Sequence, residues 1–297
     1  MNAIVLGAAA GGGFPQWNCR CRACQMAWAG DIRVKPRTQA SLAVSGDGAH
    51  WTLINATPDL RAQIKATRVL HPRALRDTPI TSVVLTGAEV DQVAGLLDLR
   101  ERQAFSLYGS RQTLDTLRAN PIFDVLAADC VERREAALDR AITLPGDITI
   151  DLFAVPGKVP LYREASVASL KADEGETVGV DIRTNDRRLI YIPGAATLNA
   201  AIMARIAGAD AVLFDGTLFT DEEMIRTGTG AKTGLRMGHM PIDGESGSLR
   251  ALAEVSARRI YTHINNTNPI LIADSAERRT VETAGWEIAE DGMEIVL

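Results

Sequence analysis

The sequence predicts an α/β protein of one domain over residues 1–297, of the size of a two-sheet sandwich. Three observations carry that expectation. Hydrophobic residues make up 46% of the chain and charged ones 23%, which suits a large core beneath a well-hydrated surface. Short β-branched and apolar runs, such as Ile80 to Leu85 and Ala211 to Phe214, alternate with stretches of helical periodicity. No Pro/Gly/Ser-rich linker, internal repeat or low-complexity segment divides the chain.

Taken in order, Ala3 to Leu6 reads as a first buried strand, leading into the small-residue loop Gly11-Gly12-Gly13 and Pro15. That loop lacks the G-x-G-x-x-G spacing of a dinucleotide cradle, and Trp17 and three cysteines follow where a nucleotide-binding helix would begin. Ala40 to Ser45 and Trp51 to Asn55 read as a hairpin around Gly46-Asp47-Gly48, and Pro58 opens a helix through Lys65. Ile80 to Leu85 runs into the acidic turn Thr86 to Asp91, after which Val93, Leu96, Leu97 and Leu99 recur at helical spacing. Glu89 and Asp91 therefore fall at a strand-to-helix junction. A second α/β stretch covers Ala104 to Ala128, and strands follow at Ile148 to Val155, Thr177 to Ile182 and Arg188 to Ile192. One strand ends at Asp215 and another, Arg259 to Thr262, at His263. Trp286 to Leu297 reads as a hairpin turning at Asp291-Gly292. Polar residues are thus left at strand ends, where a rigid scaffold presents chemistry on loops.

A formal net charge of −5 and a pI near 5.5 argue against a nucleic-acid partner, since phosphate neutralisation needs clustered Lys and Arg. The start of the chain carries no basic and apolar secretory pattern, and no apolar run reaches the length of a bilayer. A cytoplasmic protein with no membrane partner is expected. In that reducing compartment, clustered cysteines are better material for a metal than for disulfides.

Cys19-Arg20-Cys21-Arg22-Ala23-Cys24 is C-x-C-x2-C, which brings three thiolates within reach of one ion. Structural zinc is the expected occupant, because thiolates at tetrahedral geometry suit it and binding supplies folding free energy to a loop with little core. Unligated thiols and an iron–sulfur cluster are the competing readings. Cys130, in a helical stretch, reads as a small buried hydrophobe. Of the four histidines, His50 and His71 read as surface residues, which leaves His263 as first choice and His239 as second for the fourth zinc ligand.

The stretch Thr86 to Leu96 resembles the metal-binding signature of the metallo-β-lactamase superfamily, with the aspartate kept as Asp91 and the trailing pair as Gly95-Leu96. Gly87, Glu89 and Gln92 occupy the places of three family histidines. More narrowly, Ala9 to Cys19, Asp215-Gly216-Thr217, Gly238-His239-Met240 and His263 to Ile270 closely resemble the family of coenzyme PQQ (pyrroloquinoline quinone) synthesis protein B, and the likeness runs through essentially the whole chain. This resemblance implies a metallo-β-lactamase-type αββα sandwich, a structural zinc at the cysteines and a place in PQQ synthesis. It also implies an oxygen-dependent, iron(II)-assisted hydroxylation of the tyrosine ring in a Glu-Tyr cross-linked precursor. A carrier or exporter of PQQ is the alternative implied role.

The histidine count bears on the hydrolytic alternative independently. A dinuclear zinc hydrolase of this fold uses more imidazoles than the chain can spare once one closes the cysteine site, which disfavours a phosphodiesterase-like activity. Carboxylates with one or two imidazoles suit iron(II) or manganese better than zinc, and a weak site with open positions is what oxygen activation requires. Asp91, Asp215 and His239 are the expected second metal set, with Glu89 as a further ligand or proton acceptor. Gln92, Arg236, Asn265 and Asn266 are the expected substrate contacts, and Gly228 to Gly238, which contains Lys232, reads as a lid. The expected partners are a small diamino-acid substrate, O2 and a second copy of the chain as a homodimer.

Overall fold

Near-continuous apolar runs on the central strands dictate a layered architecture, because both faces of such a strand must be covered. The computed structural model describes residues 1–157 and 175–297. The first sheet holds β1 (Asn2–Gly7), β2 (Ser41–Ser45), β3 (Trp51–Ile54), β4 (Ile80–Val84), β5 (Phe105–Gly109) and β6 (Val131–Glu135). The second holds β7 (Ile142–Leu144), β8 (Ile148–Ala154), β9 (Val178–Arg183), β10 (Arg188–Ile192), β11 (Ala211–Asp215), β12 (Arg258–Thr262) and β13 (Trp286–Ile288). The chain then crosses back, and β14 (Glu294–Val296) pairs antiparallel with β1 at the edge of the first sheet.

Residue by residue, the strands sort their side chains into three cores. Ala3 and Val5 of β1 face Leu189 and Tyr191 of β10 in the layer between the sheets. Ile4 and Leu6 turn outward into a second core with Leu60, Leu114 and Leu117, which belong to α2 (Leu60–Ala66) and α4 (Arg111–Arg118) when helices are counted from α1 (Arg22–Trp28) through α3 (Val90–Val93). Ile190 and Ile192 turn the other way, against Ile202 and Ile206 of α5 (Ala200–Ala207). α6 (Glu223–Arg226), α7 (Ser248–Ala251) and α8 (Ala276–Thr283) follow, and Leu252 and Val281 join the same outer core. Helix, sheet, sheet and helix stack in that order, the αββα sandwich.

Strands β3 to β6 run parallel to one another, and so do β10 to β13. Loops leaving the C-terminal ends of β4, β10, β11 and β12 gather on one edge, the place where open α/β sheets bind ligands. Two expectations need correction. The C-terminal segment is no hairpin: β13 and β14 belong to different sheets, because Trp286 and Ile288 pack on the second sheet's outer face while Ile295 enters the layer between the sheets. Asp291 ties this crossing down by accepting from Ala8 N, Thr38 N and Thr38 Oγ1. Cys130 lies in a turn before β6 rather than in a helix, although it does pack against the apolar core.

The junction carrying Glu89 and Asp91 is held at Gly95, whose N–H donates to Ala56 O at 2.9 Å. A Cβ there would stand 2.1 Å from Thr57 O and 2.9 Å from Leu60 Cβ. Gly95→Ala is therefore expected to lower the urea midpoint by the equivalent of about 1–3 kcal/mol, the range of core overpacking. An unchanged midpoint would show that the junction opens without cost.

Candidate metal centres

A side chain that ends a strand is fixed by the sheet behind it, and two of the site residues are placed in this way. Asp215 is the last residue of β11 and is fully buried. Its Oδ1 accepts from Thr217 N at 3.0 Å and Thr217 Oγ1 at 2.6 Å; its Oδ2 accepts from Ala195 N at 2.9 Å and meets His239 Nδ1 at 2.8 Å. His263 follows β12 directly, in a left-handed conformation with φ 55°. Its Nδ1 lies 2.9 Å from Thr217 Oγ1 and its Nε2 3.1 Å from Asp91 Oδ2. The two imidazoles stack with ring centroids 5.2 Å apart.

Asp215, His239 and His263 each offer one ligand atom, all within 4.8 Å of one another, and Asp91 stands beside His263. Two imidazoles and a carboxylate from separate loops form the ligand set of mononuclear iron(II) sites. The charges agree with such a set. Burial raises Asp91, but the hydrogen bond and charge of His263 outweigh it and hold the carboxyl below its usual range. Burial likewise raises Asp215, and the charge and hydrogen bond of His239 bring it below. For His263 burial lowers the imidazole, yet Asp91 and Asp215 pull it above its usual value. A divalent cation here would take the place of a proton as the partner of two buried carboxylates.

Asp91, His239 and His263 line a cavity of about 350 Å³ whose wall also includes Gln16, Glu89, Gln92, Glu176, Thr177 and Asn265. Glu89 thus reaches the cavity as expected. Gln92 also lines it, but both ends of its amide are committed: Oε1 accepts from Glu89 N at 3.0 Å and Nε2 donates to Thr86 Oγ1 at 3.2 Å. It clamps the turn rather than offering itself to a substrate. Arg236 is exposed and does not line the cavity, because on its short 3-10 turn it is Met237 and then Gly238 that face inward. Gly87 stands where a family histidine would, and a Cβ there would meet Gln92 Oε1 at 2.6 Å and Glu176 O at 3.1 Å.

At the cysteines, Cys19, Cys21 and Cys24 bring their sulfurs within 4.8 Å of one another. Cys21 N donates to Cys19 Sγ at 3.3 Å and Gln16 N to Cys24 Sγ at 3.4 Å, an arrangement that stabilises thiolates. Burial, with the neighbouring sulfurs adding to it, pushes the Cys21 thiol up to about 12. Three such sulfurs are held together as thiolates only by a cation, and soft tetrahedral zinc fits the set. His263 does not join them, contrary to expectation; β12 delivers it to Asp91 and Thr217 instead. Asn266, expected at the substrate, lies over the sulfurs, with its Nδ2 3.1 Å from Cys19 Sγ. His50 and His71 are exposed and pair locally with Asp47 and Lys65.

Against known proteins, the Beta-lactamase superfamily domain matches residues 50–264. Coenzyme PQQ synthesis protein B of Methylobacterium nodulans is 55% identical, with 100% of each chain covered. The chain belongs to the coenzyme PQQ synthesis protein B family. A Zn2+-bound crystal structure of PqqB from Methylobacterium extorquens matches with a TM-score of 0.98 at 52% identity, covering 100% of both chains. A diphosphatase of the PhnP family, at 20% identity and a TM-score of 0.70 over 100% of this chain and 97% of its own, shares the fold alone. The recognition made from the motifs around Cys19, Asp215, His239 and His263 is borne out at the level of the family.

Sequence reasoning missed Thr217, whose hydroxyl touches Asp215, His239 and His263. Its place two residues beyond a strand-ending aspartate was the available signal. It also missed Glu223, buried with Oε2 accepting from Phe219 N at 2.7 Å and Oε1 from Thr267 Oγ1 at 2.5 Å. Burial raises this carboxyl to about 7. Between the ordinary glutamate value and pH 7 the folded state therefore holds a proton that the unfolded chain has lost, so stability falls as pH rises through that window. The loss amounts to about 3 kcal/mol. Glu223→Gln is expected to flatten this part of the profile, read as denaturant midpoints at pH 5 and pH 8; parallel profiles for the two proteins would refute the assignment.

Proposed function

We propose that this protein acts in the synthesis of coenzyme PQQ by hydroxylating, with iron(II) and O2, the tyrosine ring of a Glu-Tyr cross-linked diamino-acid precursor. The observation that carries the reading is the clustering of one ligand atom each from Asp215, His239 and His263 within 4.8 Å, with Asp91 alongside and with Asp91 and both histidines lining the cavity. Membership of the PQQ synthesis family supports the pathway. Asp91, Asp215, His239 and His263 would hold iron(II), which when bound supplies the activation of O2 for ring hydroxylation. Cys19, Cys21 and Cys24 would hold zinc, which serves the fold.

The chain's own groups do the remaining work. A cavity of about 350 Å³ suits a small amino-acid-derived substrate. Thr217 fixes the orientation of both imidazoles, since one hydroxyl contacts Nδ1 of each. Glu89, on the cavity wall, is placed to take the proton that leaves the ring carbon as the new C–O bond forms. The second oxygen atom leaves as water, with two electrons from an added reductant. Hydrolysis has little support, because Gly87, Glu89 and Gln92 fill three histidine places of the superfamily signature.

The test is anaerobic loading with iron(II), addition of the precursor and a reductant, then O2, followed by mass analysis. A product heavier by one oxygen is expected. Oxygen uptake without that gain refutes hydroxylation, and tight equilibrium binding of PQQ or precursor with no turnover favours a carrier. His263→Ala should abolish iron retention and product while leaving zinc content intact. Cys21→Ser should do the converse at the metal level, releasing zinc and lowering the melting temperature; unchanged zinc and melting would remove zinc from the cysteines.

A further inference from the structure

Asn265 is 9% exposed and lines the cavity two residues beyond His263. Its backbone is fixed on both sides, N donating to Thr217 O at 3.0 Å and O accepting from Asn268 N at 2.9 Å. Its side chain heads a short relay. Nδ2 donates to Thr267 Oγ1 at 2.6 Å, Thr267 Oγ1 donates to Glu223 Oε1 at 2.5 Å, and Glu223 Oε2 accepts from Phe219 N at 2.7 Å. The relay decides which way the amide faces. A hydroxyl carries one hydrogen, and an ionised carboxylate can only accept. The Thr267 hydrogen therefore goes to Glu223, and the Thr267 oxygen can take only a donor from Asn265. That turns the amide nitrogen inward and leaves Oδ1, to which no described residue donates, as an acceptor at the cavity wall.

We propose that Asn265 selects the substrate by accepting, at Oδ1, a hydrogen bond from one of its ammonium groups, with Thr267 and Glu223 as positioning residues that hold the amide in that sense. This rests on the reading of the substrate as a diamino acid. The carboxylates of such a molecule have no hydrogen to give, whereas an ammonium group has three, and a charged donor makes the stronger bond. The described part of the cavity wall agrees, for it carries the carboxylates of Glu89, Asp91 and Glu176 and no lysine or arginine. A wall of that sign suits a cation. Glu223→Gln reverses the relay. Phe219 N then holds the oxygen of the new amide, its nitrogen donates to Thr267, and the Thr267 hydrogen turns to Asn265 Oδ1. Asn265 Nδ2 is left to meet the ammonium group, donor against donor.

The experiment measures anaerobic equilibrium binding by calorimetry to the iron(II)-loaded full-length protein at pH 8, above the value of about 7 to which burial raises Glu223. Its probes are the diamino-acid precursor and the analogue with hydrogen in place of both amino groups. Wild type is expected to prefer the precursor. Glu223→Gln and Asn265→Leu are each expected to bind the precursor at least about tenfold more weakly, and the analogue within about twofold of wild type. Adding Thr267→Val to Glu223→Gln frees the amide to turn and is expected to recover part of the lost affinity; no recovery would remove Thr267 and Glu223 as positioning residues. Precursor affinity in Glu223→Gln within about twofold of wild type would overturn the proposal, as would an equal loss for precursor and analogue. If Asn265→Leu does not fold, Glu223→Gln decides alone. The two readings fail separately. The expected discrimination with no oxygen gained in the product leaves Asn265 standing and removes hydroxylation, and hydroxylation by a wild type indifferent to the amino groups does the reverse. Wild type that binds neither probe removes both.

Discussion

A carboxylate with no exposure to water must be matched by donors inside the protein, and at Asp215 those donors come from three separate loops. Ala195 follows β10, Thr217 follows β11, and His239 follows the 3-10 turn Leu235–Met237. None of these loops can move alone without leaving a buried charge short of a partner. Thr217 then passes the constraint to His263, and His263 to Asp91 in α3, the short helix after β4. The chain of contacts starts in the second sheet and ends at the first, so the two halves of the sandwich are latched at the edge where the cavity opens.

That latch makes the strained backbone at His263 intelligible. A non-glycine residue at φ 55° persists only where its surroundings leave no alternative, and here every residue after it is tied. Ile264 pairs with the backbone of Ala8 and Ala10, Asn265 N donates to Thr217 O, and Asn268 Nδ2 donates to Gly216 O. Thr267 donates to Glu223. Asn266, three residues beyond His263, reaches the cysteines. One short loop therefore serves both clusters, and whatever orders the sulfurs also orders the backbone that aims His263.

The architecture was legible in the sequence where short apolar runs were strong, as in β1, β4, β10 and β11, and at the strand ends Asp215 and His263 that punctuate it. It was least legible at the C-terminus. Asp291-Gly292 carries the turn signal of a hairpin, with Gly292 at positive φ, yet burial sends β13 and β14 to different sheets, and a local turn signal carries no information about which sheet a strand joins. Recognition of C-x-C-x2-C as one cluster needed only spacing, because its ligands are local. The contact of Asn266 with those sulfurs was out of reach, since 242 residues separate it from Cys24 and no pattern in the chain links them. Gln92 misled in another way: an amide beside the acidic turn reads as a substrate contact, whereas its reach to Glu89 N makes it a cap.

The misplacement of His263 created a difficulty that the folded chain removes. With His50 and His71 exposed, two imidazoles remain for the interior. Giving one to the cysteines would leave a single imidazole for iron(II), short of the two that mononuclear oxygen-activating sites use. In the folded chain both interior imidazoles, His239 and His263, stand with Asp215, and Asn266 rather than a histidine faces the sulfurs. A site that activates O2 has to hold its ion with fewer protein atoms and keep places free, so it would draw on nitrogen donors, and the two interior histidines are gathered where such a site would stand.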